Sequence, residues 1–393
     1  MKIVAVDVMI IEAEAPANRA RCRPVYCRIH TDEGIYGDGE ASVMMMTGAP
    51  AAFSMLKDLS GQIIGLDPLD NEVILEKLHR NTYFAINGGP IVQSAFSAID
   101  IALWDIKGKV FNVPVYKLLG GKLYDNLRCY ASQINYGWGM LQSDAVTPEE
   151  YAARAREAVA QGYDAVKADF FELDAQGYPM SAKARTGILP ESYLKVVEAR
   201  VAAVREAMGD GDIIAECHGY TDTVSAAQIA DCIREYRIAY LEEPNMSFYP
   251  TVKKLDEQAG MRLAAGERLY SRKDYLPFIQ NQALQVLQPD IGNCGGITET
   301  RKIADLASVY DIGIQLHCAG SPLCLAASLH LEAVLPNFLI HEHCCVQERD
   351  YVRKLAKYDY QPVNGRIAIP ELPGIGNELS DYTLSRCEKV TVK

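Results

Sequence analysis

Glu216 in IIAEC, Glu242 in YLEEP and Glu267 in LAAGE each end a short apolar run, and they lie 26 and 25 residues apart. That spacing holds one strand and one helix, so a parallel barrel would set all three carboxylates on one rim. Burying three carboxylates together is costly in repulsion and desolvation unless a cation joins them. Converging hard oxygen ligands describe a Mg²⁺ site, and a divalent ion there can stabilise a developing enolate. In LEEP either Glu242 or Glu243 could be the ligand, because strand side chains alternate and only one can reach the barrel axis.

Two histidines could move protons beside such an ion. His218 follows Glu216 by two residues, which puts both side chains on one face. His317 and Asp290 end neighbouring strand candidates, and an aspartate beside an imidazole fixes its orientation and raises its basicity. Glu342 in LIHEHCC ends the last strand candidate and could hydrogen-bond a substrate oxygen, with His341 and His343 as flanking decoys. Lys167 and Asp169 in VKAD share one strand face and read as substrate contacts, the alternative being a mutual ion pair. NCGGIT at 293–298 lacks the Lys-Ser/Thr of a phosphate loop and fits a tight turn before a helix. Ser321 has no nucleophile-elbow context.

The elements that must position these groups are legible as periodicity. Residues 1–41 alternate with period two around a turn at Asp32, Glu33 and Gly34, which predicts an antiparallel meander. Between about 68 and 110 the period becomes helical, and Phe96, Ile99, Leu103, Ile106 and Val110 predict one buried stripe. Beyond residue 125 come eight strand candidates, at 127–132, 164–168, 212–217, 238–243, 262–266, 284–289, 312–317 and 338–342. Thr147-Pro148-Glu149-Glu150 reads as a capping box with Gly162 as its stop. Ser271 with Asp274 reads the same way, and Gly260 ends the helix before it. Eight such units predict a TIM-type (β/α) barrel at 126–365. Sheet first and helices after predict an α+β domain at 1–125, which the chain would rejoin at about 366–393 through PELPGIGNEL. The polar stretch 170–192 is too long for an ordinary βα loop and predicts a lid or contact segment on the rim.

Composition excludes other classes. A net charge of −12 argues against nucleic acid or an anionic membrane as partner. No apolar run approaches a transmembrane length, and the N-terminal alternation is unlike a signal peptide, so a cytoplasmic protein is expected. The 11 cysteines are scattered and include no CxxC, which predicts reduced, packed thiols rather than disulfides or zinc.

Taken together, SAFSAIDIALWDIKGK, LEEP, LAAGERLYSRKDY, LQPDIGNCGGITE and QLHC resemble the mandelate racemase branch of the enolase superfamily over nearly the whole chain, and within it the sugar-acid dehydratases of the galactonate dehydratase type. The resemblance implies Glu216, Glu242 and Glu267 as Mg²⁺ ligands, Asp290 and His317 as a base dyad, Glu342 as a substrate partner and His218 as general acid. It implies an α+β capping domain, built from both chain ends, over a modified TIM (β/α) barrel, a Mg²⁺-dependent lyase that removes the C2 proton and 3-hydroxyl of an aldonate to leave a 2-keto-3-deoxy acid, and a homo-oligomer. Loops near 19–23 and 44–50 and the 170–192 insertion would read the sugar. Two positions depart from the pattern. The first ligand is usually Asp, one methylene shorter than Glu216. The Lys-x-Lys of the racemases is Lys167-Ala168-Asp169 here, which argues against two-base racemisation. The alternatives are an acid-sugar epimerase using the same enolate and a noncatalytic metal- and ligand-binding member.

Overall fold

The computed structural model describes residues 1–15, 21–45 and 47–393, so residues 19, 20 and 46 of the expected specificity loops lie outside the described residues. The N-terminal alternation becomes β1 (Ile3–Ile10), β2 (Val25–Thr31) and β3 (Tyr36–Ala41), an antiparallel meander. Its second turn falls at Asp32, Glu33 and Gly34, where the Thr31 N–H donates to the Ile35 carbonyl. Three helices follow: α1 (Ala49–Ser60), α2 (Asn71–Asn81) and α3 (Pro90–Val110).

α3 differs from the expected single stripe, because it is buried on nearly every side between the meander and a larger barrel. On one side β3 presses against it through Gly37 and Gly39; a Cβ at Gly39 would fall 1.9 Å from the Ala98 carbonyl oxygen. On the other side Ser97 Oγ accepts the N–H groups of Gly295 and Gly296 at 2.9 and 3.0 Å. Asp100 takes the Thr298 N–H at 2.9 Å. The glycine turn of NCGGIT therefore spends its amides on α3.

The barrel comprises β4 (Asn126–Ser132), β5 (Ala165–Asp169), β6 (Asp212–Glu216), β7 (Tyr240–Glu242), β8 (Leu263–Ala265), β9 (Val286–Leu287), β10 (Gly313–Ile314) and β11 (His341–Cys344). They are parallel, in the spatial order β10-β9-β8-β7-β6-β5-β4-β11. A parallel bridge between Ile314 and Phe338 joins the two ends and closes the ring. All eight expected strands are present, several shorter than their apolar runs. Inside, Tyr130, Ile214, Tyr240 and Val286 form an apolar floor below the mouth. The helix Pro148–Ala160 starts with the expected Thr147–Glu150 capping box, and Gly260 ends the helix Tyr249–Ala259 in a left-handed conformation. The Ser271 box is only half made: its hydroxyl caps nothing, and Asp274 accepts the Tyr270 N–H at 3.0 Å.

β12 (Arg366–Ala368) pairs antiparallel with β4, so the chain is still part of the barrel sheet there. It then crosses back, the Leu379 N–H reaching Asp38 at 3.0 Å, and β13 (Glu388–Val392) pairs with β1 to give a sheet ordered β13-β1-β2-β3. Among the described residues no helix is long and apolar enough to cross a membrane.

Glu40 on β3 spans the joint with the barrel. Its carboxylate accepts the Ser321 N–H at 2.9 Å, the Ser321 hydroxyl at 2.5 Å and the Cys324 N–H at 3.1 Å. Burial outweighs these bonds and pushes its pKa from 4.5 up to about 7. The folded state thus holds this proton more tightly than the unfolded chain, so its stabilising contribution is full below the unfolded pKa and is lost as pH rises through the folded one. Glu40→Gln should remove that decline. Urea unfolding at about pH 5 and about pH 8 checks it; a wild-type minus variant difference that does not change between the two would contradict it.

Candidate active site

The barrel rule brings the predicted groups to one mouth. Glu216 ends β6, Glu242 ends β7 and Glu267 lies just past β8, and one carboxylate oxygen from each falls within 4.8 Å of the others. Glu242 is the inward residue of LEEP. Glu243 takes a left-handed turn (φ 41°) and pairs with Arg268, whose guanidinium also lies 2.5 Å from Glu267.

Lys167 is the ammonium that faces this cluster. It is buried, bonded to Glu242, 3.3 Å from Glu216 and 3.0 Å from Glu342, and those carboxylates overcome burial to hold its pKa well above the ordinary value. Lys167 and Arg268 together face Glu216, Glu242, Glu243, Glu267 and Glu342, which leaves negative charge uncompensated. Burial and the neighbouring Glu216 push the Glu242 pKa up to about 8, and the buried Glu216 Oε2 has the Lys167 ammonium beside it at 3.3 Å without a well-formed hydrogen bond. An all-oxygen triad of buried or half-buried carboxylates with excess negative charge fits a hard divalent cation.

Removing Lys167 tests this balance. Lys167→Met should destabilise the metal-free protein by about 3–5 kcal/mol, the cost of stranding buried charges. Added Mg²⁺ should then raise the thermal midpoint by more than it does in the wild type. An equal Mg²⁺ shift in both proteins would show that the ammonium and the cation do not share these carboxylates.

Both histidines are held by aspartates. His317 Nδ1 lies 2.7 Å from Asp290 Oδ2 and its Nε2 lies 3.3 Å from Glu267, while Ser42, at the end of β3, donates to the same Asp290 oxygen at 3.1 Å. His218 Nδ1 lies 3.1 Å from Asp169 Oδ2, Gln133 meets its Nε2 at 3.2 Å, and its N–H donates to Glu216 at 2.7 Å. His218 and Gln133 both adopt left-handed backbone (φ 50° and 59°), conformations that cost energy and persist where the surroundings impose them. Burial lowers both imidazole pKa values, but the facing carboxylates win, carrying His218 to about 9 and His317 to about 10. A base must be neutral to accept a proton, so proton abstraction here needs that carboxylate charge taken up.

Asp169, expected as a substrate contact, is instead the partner of His218, buried behind the ring, and its other oxygen accepts the Phe171 N–H at 2.8 Å. Lys167 and Asp169 share a strand face without pairing, because register places Glu242 beside one and His218 beside the other. Glu342 is where expected. Ser132 donates to it at 2.5 Å and the Cys318 N–H at 2.8 Å. Burial opposes its charge, yet Lys167 and His317 hold it well below the usual carboxylate range, so it accepts hydrogen bonds rather than donating them. His341 and His343 point away from the mouth, to Glu332 at 2.6 Å and to the Tyr163 hydroxyl at 2.7 Å.

A cavity of about 370 Å³ joins Lys167, His218, Glu267, His317 and Glu342, and its outer wall includes Tyr136, Cys344, Cys345 and Arg349. That volume suits a small polar molecule. The 170–192 insertion lies behind this wall and reaches it through Tyr136. Tyr136 donates to Glu172 at 2.5 Å, Arg200 binds the carbonyls of Phe170, Leu173 and Asp174, and Arg185 stacks on Tyr220 at 4.2 Å. Of the supporting residues, Ser132 and Gln133 carry a sequence signal only in lying at the end of the first barrel strand. Ser42, from the other sheet, carries none.

A closed parallel barrel under an α+β cap, with its polar machinery gathered at the C-terminal strand ends, is the architecture of barrel enzymes. The comparisons with known proteins narrow the class. Residues 150–383 match the enolase C-terminal domain-like family, and residues 5–120 match the N-terminal domain of mandelate racemase and muconate lactonizing enzyme. The chain belongs to this mandelate racemase/muconate lactonizing enzyme family of the enolase superfamily. It is 33% identical to D-galactonate dehydratase of Pectobacterium atrosepticum over 372 residues, covering 91% of this chain and 89% of that protein. It is 33% identical over 368 residues to D-galactonate dehydratase of Ralstonia nicotianae, with the same coverages. A member of the enolase superfamily from Salmonella Typhimurium superposes with a TM-score of 0.95 at 45% identity over 100% of both chains.

Proposed function

We propose that this chain is a Mg²⁺-dependent hydro-lyase that converts a sugar acid to its 2-keto-3-deoxy acid. The observation that carries the reading is the pair of aspartate-held imidazoles on opposite sides of one cavity. His218 follows the third barrel strand and His317 lies beyond the seventh, so ring order sets them across the mouth from each other. Relatives named D-galactonate dehydratase, similar over most of their length, support the substrate class.

Mg²⁺ held by Glu216, Glu242 and Glu267 would supply Lewis acidity that stabilises negative charge growing on the substrate's carboxylate. The chain's own groups do the rest. With Asp290 accepting at Nδ1, His317 presents a basic Nε2 to the C2 proton. Lys167, fixed and charged, stabilises the anion and does not compete as a base. That removes the second base an epimerase of the racemase type needs. Glu342 accepts a hydrogen bond from a substrate hydroxyl. His218, aligned by Asp169, donates a proton to the departing 3-hydroxyl, because hydroxide leaves poorly without an acid. The enol then tautomerises to the keto acid.

A panel of pentonic and hexonic acids, incubated with enzyme and Mg²⁺ and scored for 2-keto acid, tests the reading. At least one acid should turn over, activity should vanish with EDTA and return with Mg²⁺. Tight binding of acid sugars without turnover would favour the noncatalytic reading instead.

A further inference from the structure

Two adjacent thiols in the cavity wall have no part in the chemistry above. Cys344 ends β11, two residues past Glu342, and Cys345 opens the following turn. The chain changes from extended to helical between them, so both side chains reach the cavity instead of alternating across the strand. Each is only 7% exposed, and both line the cavity. The two thiols are within hydrogen-bonding reach of each other. Gln347 braces the turn, accepting the Cys344 N–H at 3.0 Å while donating to the Cys318 carbonyl at 3.1 Å beside His317.

The electrostatics separate Cys345 from the remaining cysteines, Cys344 included, whose thiol the neighbouring Cys345 and burial push well up. Burial raises the thiol pKa of Cys22 to about 12 and of Cys232 to about 11, and it raises Cys27, Cys129, Cys217, Cys294, Cys318 and Cys324 as well. At Cys345 the direction reverses: the Cys344 thiol and the Arg349 guanidinium favour the thiolate over the burial that opposes it. Two adjacent thiols beside the Arg349 guanidinium, both lining a substrate-sized cavity, form a reactive dithiol rather than packing.

We propose that Cys344 and Cys345 form a dithiol site for trivalent arsenicals in the wall of the cavity. A compound R–As=O loses its oxygen, two As–S bonds form, and the two thiol protons leave with that oxygen as water. Arsenic stays trivalent, so no oxidant or reductant is required. Two sulfurs on neighbouring residues close one chelate ring, which a single thiol cannot match.

Phenylarsine oxide added to the intact protein tests the site without any need for a known substrate, so its failure is separable from failure of the dehydratase reading. Native mass spectrometry should show one phenylarsenic unit per chain, removed by 2,3-dimercaptopropanol but retained in the monothiol 2-mercaptoethanol. Cys344→Ser and Cys345→Ser should each lose that dithiol-dependent adduct, while Cys387→Ser keeps it. Alkylation of the wild-type complex with iodoacetamide after unfolding in the presence of the arsenical, followed by digestion, gives a second reading that needs no variant. Protection of the peptide containing both cysteines supports the site. No adduct, an adduct that survives in both serine variants, or protection confined to other cysteines would overturn it.

Discussion

His317→Asn is expected to lower kcat by about 10³-fold or more on the substrate found by the acid-sugar panel, the scale of a lost general base. Asparagine keeps a polar group near Asp290, whose carboxylate still holds the Ser42 hydroxyl and the Gly292 N–H at 2.7 Å, so the fold and the cavity should persist. Substrate affinity should change little, because the imidazole contributes a proton acceptor rather than a charge clamp. In D₂O this variant should also stop exchanging the C2 proton. Full exchange with lost turnover would move the base assignment to another residue.

His218→Asn is expected to cut keto acid formation by about 10²- to 10⁴-fold while leaving C2 exchange measurable. The two losses separate because the proposed steps are distinct: His317 opens the C2–H bond and His218 assists departure of the 3-hydroxyl. Asp169 is the residue that makes this sharp. It accepts from the ring at Nδ1 and so aims Nε2 outward, while Gln133 meets that nitrogen on the rim. Loss of both exchange and dehydration in His218→Asn would mean that the ring supports proton abstraction, directly or through Glu216, to which its backbone N–H is bonded at 2.7 Å.

What could be read from residue order, and what could not, follows from the range of each interaction. Glu216, Glu242 and Glu267 were visible because barrel geometry turns a regular spacing along the chain into a shared rim, and His317 with Asp290 because they end adjacent strands. Glu342 could be told from His341 and His343 by alternation along one strand. The choice between Glu242 and Glu243 needed the local turn, since the left-handed backbone at Glu243 sends it to Arg268. The pairing of Asp169 with His218 is hidden for a similar reason: which of its neighbours it meets depends on the register of β5 against β6, where it lies opposite Glu216, two residues before His218. Ser42 was beyond reach because it comes from another sheet, 248 residues from Asp290 along the chain. The burial of α3 on both sides was hidden too, since a helix pattern reports how apolar its faces are and not how many partners they have.

The central claim is that one enolate partitions to loss of the 3-hydroxyl, and the fate of hydrogen in D₂O reports it directly. NMR of the wild-type product should show a 2-keto-3-deoxy acid with one solvent deuterium at C3, delivered in tautomerisation. Recovery of an acid of unchanged formula, inverted at C2 and carrying deuterium there, with no keto acid formed, would contradict the account.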